Sequence, residues 1–194
     1  MKKLDFSAAE VAAALGAIAE NASTPVINLR GQNYGVKDKT VYVSAFISDL
    51  QNGEILNPSN TPNVGLRNFD KNQLPEGTYQ LVKGVRILSA NALSAHTDAA
   101  LKGASFADTA IAAVYNGELK FSQNQVLAHV SGSDVTCRFA ATSNEDTFRA
   151  VTPFLLRPQT DTNIVLTTSG ATVAGNDAIK LEYRCIELVK LGKA

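Results

Sequence analysis

Residues 177–191 read DAIKLEYRCIELVKL. Ile179, Leu181, Tyr183 and Cys185 alternate with Lys180, Glu182 and Arg184, the period of two that places every second side chain on one face of a strand. The phase then slips, because Ile186 and Leu188 take over as the apolar positions. Leu181, Cys185 and Leu188 also fall at helical spacing, so the segment has a helical alternative. The clean alternation and the β-branched content decide for a strand, and a bulge near residues 185 and 186 accounts for the slip.

Working outward, the same signature recurs. PVINLR, TVYVSAFI, TYQLVKGVRILSA, QVLAHVSG, DVTCRFAA, AVTPFLLRP and TNIVLTTSG are short runs rich in β-branched and aromatic residues, separated by turn-forming residues at fairly regular spacing. Both faces of residues 40–47 are apolar, which suits an interior strand. Gly84 marks a bulge or a close backbone approach in the third of these runs. In AIAAVYNGELKF, Asn116-Gly117 predicts a type I′ hairpin between two strands, since that turn needs positive φ at both central positions.

Two segments break the strand pattern. Near the N-terminus, Ser7 stands three residues before Glu10, the capping-box spacing, with Phe6 and Val11 in the staple positions. Val11, Leu15 and Ile18 then recur at helical spacing, opposite a smooth side of Ala9, Ala13 and Gly16. Such a helix either docks on its own domain or serves as an arm against a second copy. Residues 49–78 form a long loop with three prolines and three glycines, either functional or a solvated insertion. Residues 91–108 read as a second connection, with a short helix near residues 97–102 stopped by Gly103. The organisation expected is a helix or arm over 1–24 and a single β-sandwich domain over 25–194.

Composition excludes more than it selects. Eighteen Lys and Arg balance eighteen Asp and Glu in 194 residues. A neutral chain lacks the basic surface that general nucleic-acid binding requires, so no strong nucleic-acid partner is expected. The charge-free run over residues 11–19 is too short to span a bilayer, and Asp5 and Glu10 interrupt it as a leader, so a cytoplasmic chain without a membrane partner is expected. Tryptophan is absent, which weighs slightly against sugar-stacking modules.

No motif carries catalysis, and a non-enzyme without cofactor or metal is expected. There is no P-loop, no G-x-G-x-x-G and no G-x-S-x-G elbow. The only histidines are His96 and His129; His96 with Asp98 falls short of the three or four convergent ligands that zinc wants. Ser131, Ser133 and Asp134 crowd one turn rather than forming a triad, and Glu145 with Asp146 lies in a polar loop. Cys137 and Cys185 stand beside Arg138 and Arg184, but strand neighbours point to opposite faces. The pair therefore reads as buried free thiols rather than as a disulfide or an activated thiolate. Arg86, Arg157 and Arg184, beside apolar strands, are candidate interface residues along with Val11, Leu15 and Ile18; the arginines equally suit a solvent face.

Together these features predict a mainly β chain, a jelly-roll-like β-sandwich of about eight to ten strands with an N-terminal helix and a long loop. The helix over 7–20, the loop over 49–78 and the closing segments TPFLLRPQTDTNIVLTTSG and DAIKLEYRCIELVKL resemble a viral or phage coat or head-decoration protein. The resemblance implies a structural virion subunit that self-associates as a homo-oligomer through its β-domain and arm, with other virion proteins as further partners. With only Lys2 and Lys3, the arm departs from coat proteins whose arms carry a basic run. The alternative is a ligand-binding module or adhesin using loops 49–78 and 91–108.

Overall fold

In a computed structural model, residues 6–17, 25–107, 111–136 and 148–192 are described. Helix α1 (Ala8–Gly16) precedes strands β1 (Val26–Leu29), β2 (Gln32–Phe46) and β3 (Thr78–Ala90). Short helices α2 (Asp98–Gly103) and α3 (Ala112–Tyr115) lead to β4 (Glu118–Gln123) and β5 (Gln125–Ser131). Helix α4 (Gly132–Thr136), β6 (Arg149–Leu156), β7 (Asn163–Thr167) and β8 (Ala178–Lys190) complete the order.

The strands form two antiparallel sheets, β1-β2-β8-β3-β6 and β5-β4-β7. From β2 onward the chain passes repeatedly between the sheets, and the last strand inserts between the second and the third. That is the winding of a jelly roll, two Greek keys closed face to face. The position beside β7 holds no full strand: a single bridge from Glu54 to Val165 stands there, with Ile55 N–H donating to the Ile164 carbonyl at 2.8 Å. The loop over 49–78 thus contributes one bridge to the small sheet and otherwise runs without a strand.

β8 is the strand its alternation predicts, but it carries no bulge. Its register with β2 is unbroken from Tyr34↔Lys190 to Phe46↔Ala178. The irregularity lies in the neighbour, between Val82 and Gly84 of β3, where the glycine suggested it. The phase slip has another cause. Ile179, Leu181, Tyr183 and Cys185 face the small sheet, in a core with Val43, Val85, Leu119, Phe121, Ile164 and Leu166. Ile186 and Leu188 face the opposite way, into a second cluster with Phe6 and Val11. One uninterrupted strand is covered on different faces along its length, so its apolar positions change parity.

Helix α1 covers that second face. Ser7 caps it: Glu10 N–H donates to Ser7 Oγ, and Ser7 N–H donates to the Glu10 carboxylate, the reciprocal capping box. Those contacts and Arg30 hold the Glu10 carboxyl down at about 2. Phe6 and Val11 are sealed against Ile27, Leu29, Tyr34, Leu81 and Leu155. Phe6 sits edge-on to Tyr34 and tilted on Tyr79, at centroid distances of 5.6 and 5.2 Å, favourable aromatic geometries.

Two expected elements are corrected. Asn116-Gly117 is not a I′ hairpin: residues 112–115 are helical, and Asn116, at φ −89° and ψ 10°, ends α3. Gly117 lies outside the left-handed region; a Cβ there would overlap the Thr167 carbonyl oxygen, so close approach of β7 demands the glycine. The I′-like turn is instead Arg30-Gly31, both at positive φ, between β1 and β2. Gly132–Thr136 is helix α4 rather than the start of a strand, with Ser133 and Asp134 in its first turn.

Candidate functional site

A cleft of about 380 Å³ lies at the end of β2, between the loops over 49–78 and 91–108. The end of β2 supplies its floor. Beyond the point where β1 stops, the edge of β2 is taken by residues 66–68. Ser44 N–H donates to the Leu66 carbonyl at 2.7 Å, Val43 bridges Arg67, and Asn68 N–H donates to the Tyr42 carbonyl at 3.1 Å. Paired residues share a face, so Arg67 stands with Val43 and Ser44 faces the opposite way. A small apolar cluster of Phe46, Leu66, Leu101 and Ala178 seats α2 behind the cleft. Thr97 caps that helix by accepting from Ala100 N–H at 3.2 Å.

His96 locks three loops together at the rim. Its ring stacks on Phe46 at a centroid distance of 3.8 Å. Nε2 meets the Asp49 carboxylate at 2.9 Å, and Nδ1 meets the Gly175 carbonyl at 2.9 Å. Both partners are acceptors, so both ring nitrogens donate, which requires the imidazolium. Asp49 accordingly raises the His96 pKa above 6.5, with the Gly175 carbonyl adding to the effect. Asp177 fastens the same loops from beneath, accepting from Ala92 N–H and Ala174 N–H at 2.9 Å each. The sequence pairing of His96 with Asp98 is therefore not made; its carboxylate partner is Asp49.

Polar groups in the cleft are incompletely satisfied. Ser44 is 2% exposed, and its Oγ has no partner; neither has Arg67 Nε. A buried donor left unpaired costs about 1–3 kcal/mol, so such groups call for an explanation. Arg67 is anchored by its Nη1, which donates to Asn60 Oδ1 at 2.8 Å. Among the described residues, no group of three or more His, Cys, Asp or Glu converges to hold a metal.

The residues singled out for an interface are dispersed. Val11 is fully buried beneath α1, Leu15 is half-buried against the same sheet, and Ile18 lies outside the described residues. Arg86 and Arg184 meet: their guanidinium carbons each lie 4.4 Å from the Phe148 ring centre, one of them paired with Glu182 at 2.6 Å through Arg86 Nη2. Arg157 follows the far end of β6, where its N–H donates to Gln123 Oε1. His129 is exposed and pairs with Glu118 at 2.9 Å. Cys137, Arg138, Glu145 and Asp146 lie outside the described residues.

Cys185 is buried on the core face while Arg184 is exposed on the other, the opposition that strand geometry predicts. Burial, with Glu187 nearby, pushes its thiol up to about 12. One turn of the alternation further, buried Glu187 accepts from Lys37, Lys39 and Gln80 at 2.8, 2.6 and 2.8 Å. Burial works against that carboxylate, but the two ammonium groups and the amide outweigh it and hold the pKa below its usual value. Tyr183 O–H donates to Gln80 Oε1 at 2.9 Å and extends the network into the core.

No protein-family model, no curated protein and no solved structure matches this chain. Among the described residues, no helix is long and apolar enough to cross a membrane. The fold and the cleft therefore define the protein as a mainly β, jelly-roll sandwich with a helix-covered outer face and a polar cleft between two loops.

Proposed function

We propose that this chain is a structural virion protein, a capsid or capsid-associated shell or decoration subunit that self-associates and resides in the virion. The observation that carries the reading is the winding. Two antiparallel sheets are closed face to face with the last strand inserted between the second and third, an architecture used by viral shell domains. The winding is shared with lectins and cupins, so fold supplies the class and association must supply the function. Expression of the full chain followed by negative-stain microscopy and light scattering tests it. Closed rings or shells of regular size support the reading, and a monodisperse monomer at millimolar concentration removes it.

A second reading has its own observation. The two loops named from sequence as a ligand surface, 49–78 and 91–108, do meet, and they enclose the cleft over Ser44 and Arg67. A ligand-binding role and a shell role are compatible, because the cleft takes up only the surface between these two loops.

A further inference from the structure

The cleft's unused hydrogen-bonding groups specify a chemistry. Beneath the lining, Ser44 Oγ and Arg67 Nε are fully buried and have no partner among the described residues. Along the lining, Asn57 Oδ1 is used by Ser59 N–H and Asn60 Oδ1 by Arg67, which leaves both amide NH₂ groups as donors. Thr97 Oγ1 accepts from Ala100 N–H, and its own O–H remains to donate. Glu54 and Asp98 are exposed carboxylates that line the same cleft without an ion-pair partner among the described residues. His96 and Asp49 neutralise each other.

Donors and acceptors thus both line a space of about 380 Å³, inside the size range of small-molecule sites. A simple anion would meet Glu54 and Asp98. A simple cation would meet Arg67 and the amide NH₂ groups. A hydroxyl donates once and accepts twice, so a ligand bearing several hydroxyls satisfies both sets. We propose that the cleft binds a neutral polyhydroxylated ligand, a mono- or disaccharide unit. Its hydroxyls donate to Glu54 and Asp98 and accept from the Asn57 and Asn60 amides. Recognition by hydrogen bonds in this way needs no indole platform, which accords with a chain lacking tryptophan.

This inference rests on the ligand-binding reading, and its test separates the two. The full-length protein, ¹⁵N-labelled, is titrated with glucose, galactose, N-acetylglucosamine and lactose, and screened on an array of neutral glycans. Citrate and spermidine serve as anionic and cationic probes. The expected result is saturable binding of at least one neutral saccharide, with amide shifts confined to the neighbourhoods of Glu54, Arg67 and Asp98. Glu54→Gln and Asp98→Asn should each weaken it at least tenfold while the circular dichroism spectrum is unchanged. Saturable shifts from citrate or spermidine alone overturn the saccharide assignment but keep a ligand site. No saturable shift at these residues from any probe, with a blank array, overturns both.

Discussion

Phe6→Ala tests whether α1 belongs to the folded domain. Phe6 is 1% exposed, so truncation removes a fully buried ring and its contacts with Tyr34 and Tyr79. In a rigid core such a change costs about 3–5 kcal/mol. Here the cost has a ceiling, because the helix can detach and leave the sheets folded. What holds it is the burial of Phe6 and Val11, about 1.5–3 kcal/mol each. The capping box adds about 1 kcal/mol. The Arg30–Glu10 pair at 2.7 Å is open to water on both sides and adds little. Against these stands the ordering of the α1 backbone, which its own hydrogen bonds offset in part. Docking is therefore modest, and the loss should stop near 2–3 kcal/mol, at the point where the helix lets go.

For a chain of this size, that corresponds to a fall in melting temperature of roughly 5–10 °C. Amide exchange should show the mechanism. The Val11 N–H, bonded to the Ser7 carbonyl, should lose protection in the variant, while β8 amides keep theirs. Deleting residues 1–22 should reach the same ceiling, since it wets the face that detachment already exposes, Ile27, Leu29, Tyr34, Leu81, Leu155, Ile186 and Leu188. A melting temperature unchanged within 1 °C, with helix exchange unaltered, would refute the docked helix. A loss that depends on protein concentration would mean that the helix covers a neighbouring copy.

Three further outcomes follow from particular contacts. Gly117→Ala should cost about 2 kcal/mol or more by denaturant titration, because the added Cβ meets the Thr167 carbonyl at the start of the β4–β7 ladder; an unchanged midpoint would remove the close approach. Glu187→Gln should cost about 1.5–3 kcal/mol at neutral pH, since it weakens charge-assisted bonds to Lys37, Lys39 and Gln80. Because the Glu187 pKa is lowered on folding, its stabilisation is present above 4.5 and is lost as pH falls through the folded value, so the variant should lose less stability than the wild type between neutral and acid pH. The His96 pKa is raised on folding, so its tie to Asp49 is fully present below 6.5 and is lost as pH rises through the folded value; an imidazole titration by NMR should give a midpoint above 6.5 that Asp49→Asn lowers, and a midpoint at or below 6.5 would contradict the lock.

Much of the sheet architecture was written in local pattern. β3 coincides with TYQLVKGVRILSA, and β8 with the alternation from Ile179 onward, because strands at the centre of a sheet carry unbroken β-branched runs. The capping box and staple announced α1 for the same local reason. The failures arose where distant contacts overrode local preference. Asn116-Gly117 has the ideal hairpin dipeptide, yet Ala112–Tyr115 coils, and the glycine serves the approach of Thr167 from fifty residues away in the chain. The parity change in β8 looked like a bulge because one face was assumed to stay buried throughout; the helix that buries the other face lies far earlier in the sequence. Likewise the two loops of the cleft were visible as loops, but Arg67 reaches β2 only through its pairing with Val43 along the strand edge, and the choice of Asp49 over Asp98 as the partner of His96 depends on where three loops converge.

The central claim, a self-associating subunit, meets its most direct test in sedimentation velocity on the untagged full-length chain from micromolar to millimolar concentration. The account predicts a discrete species whose mass is a multiple of the 20.6 kDa chain and which grows with concentration. A single species of 20.6 kDa across the whole range would contradict it.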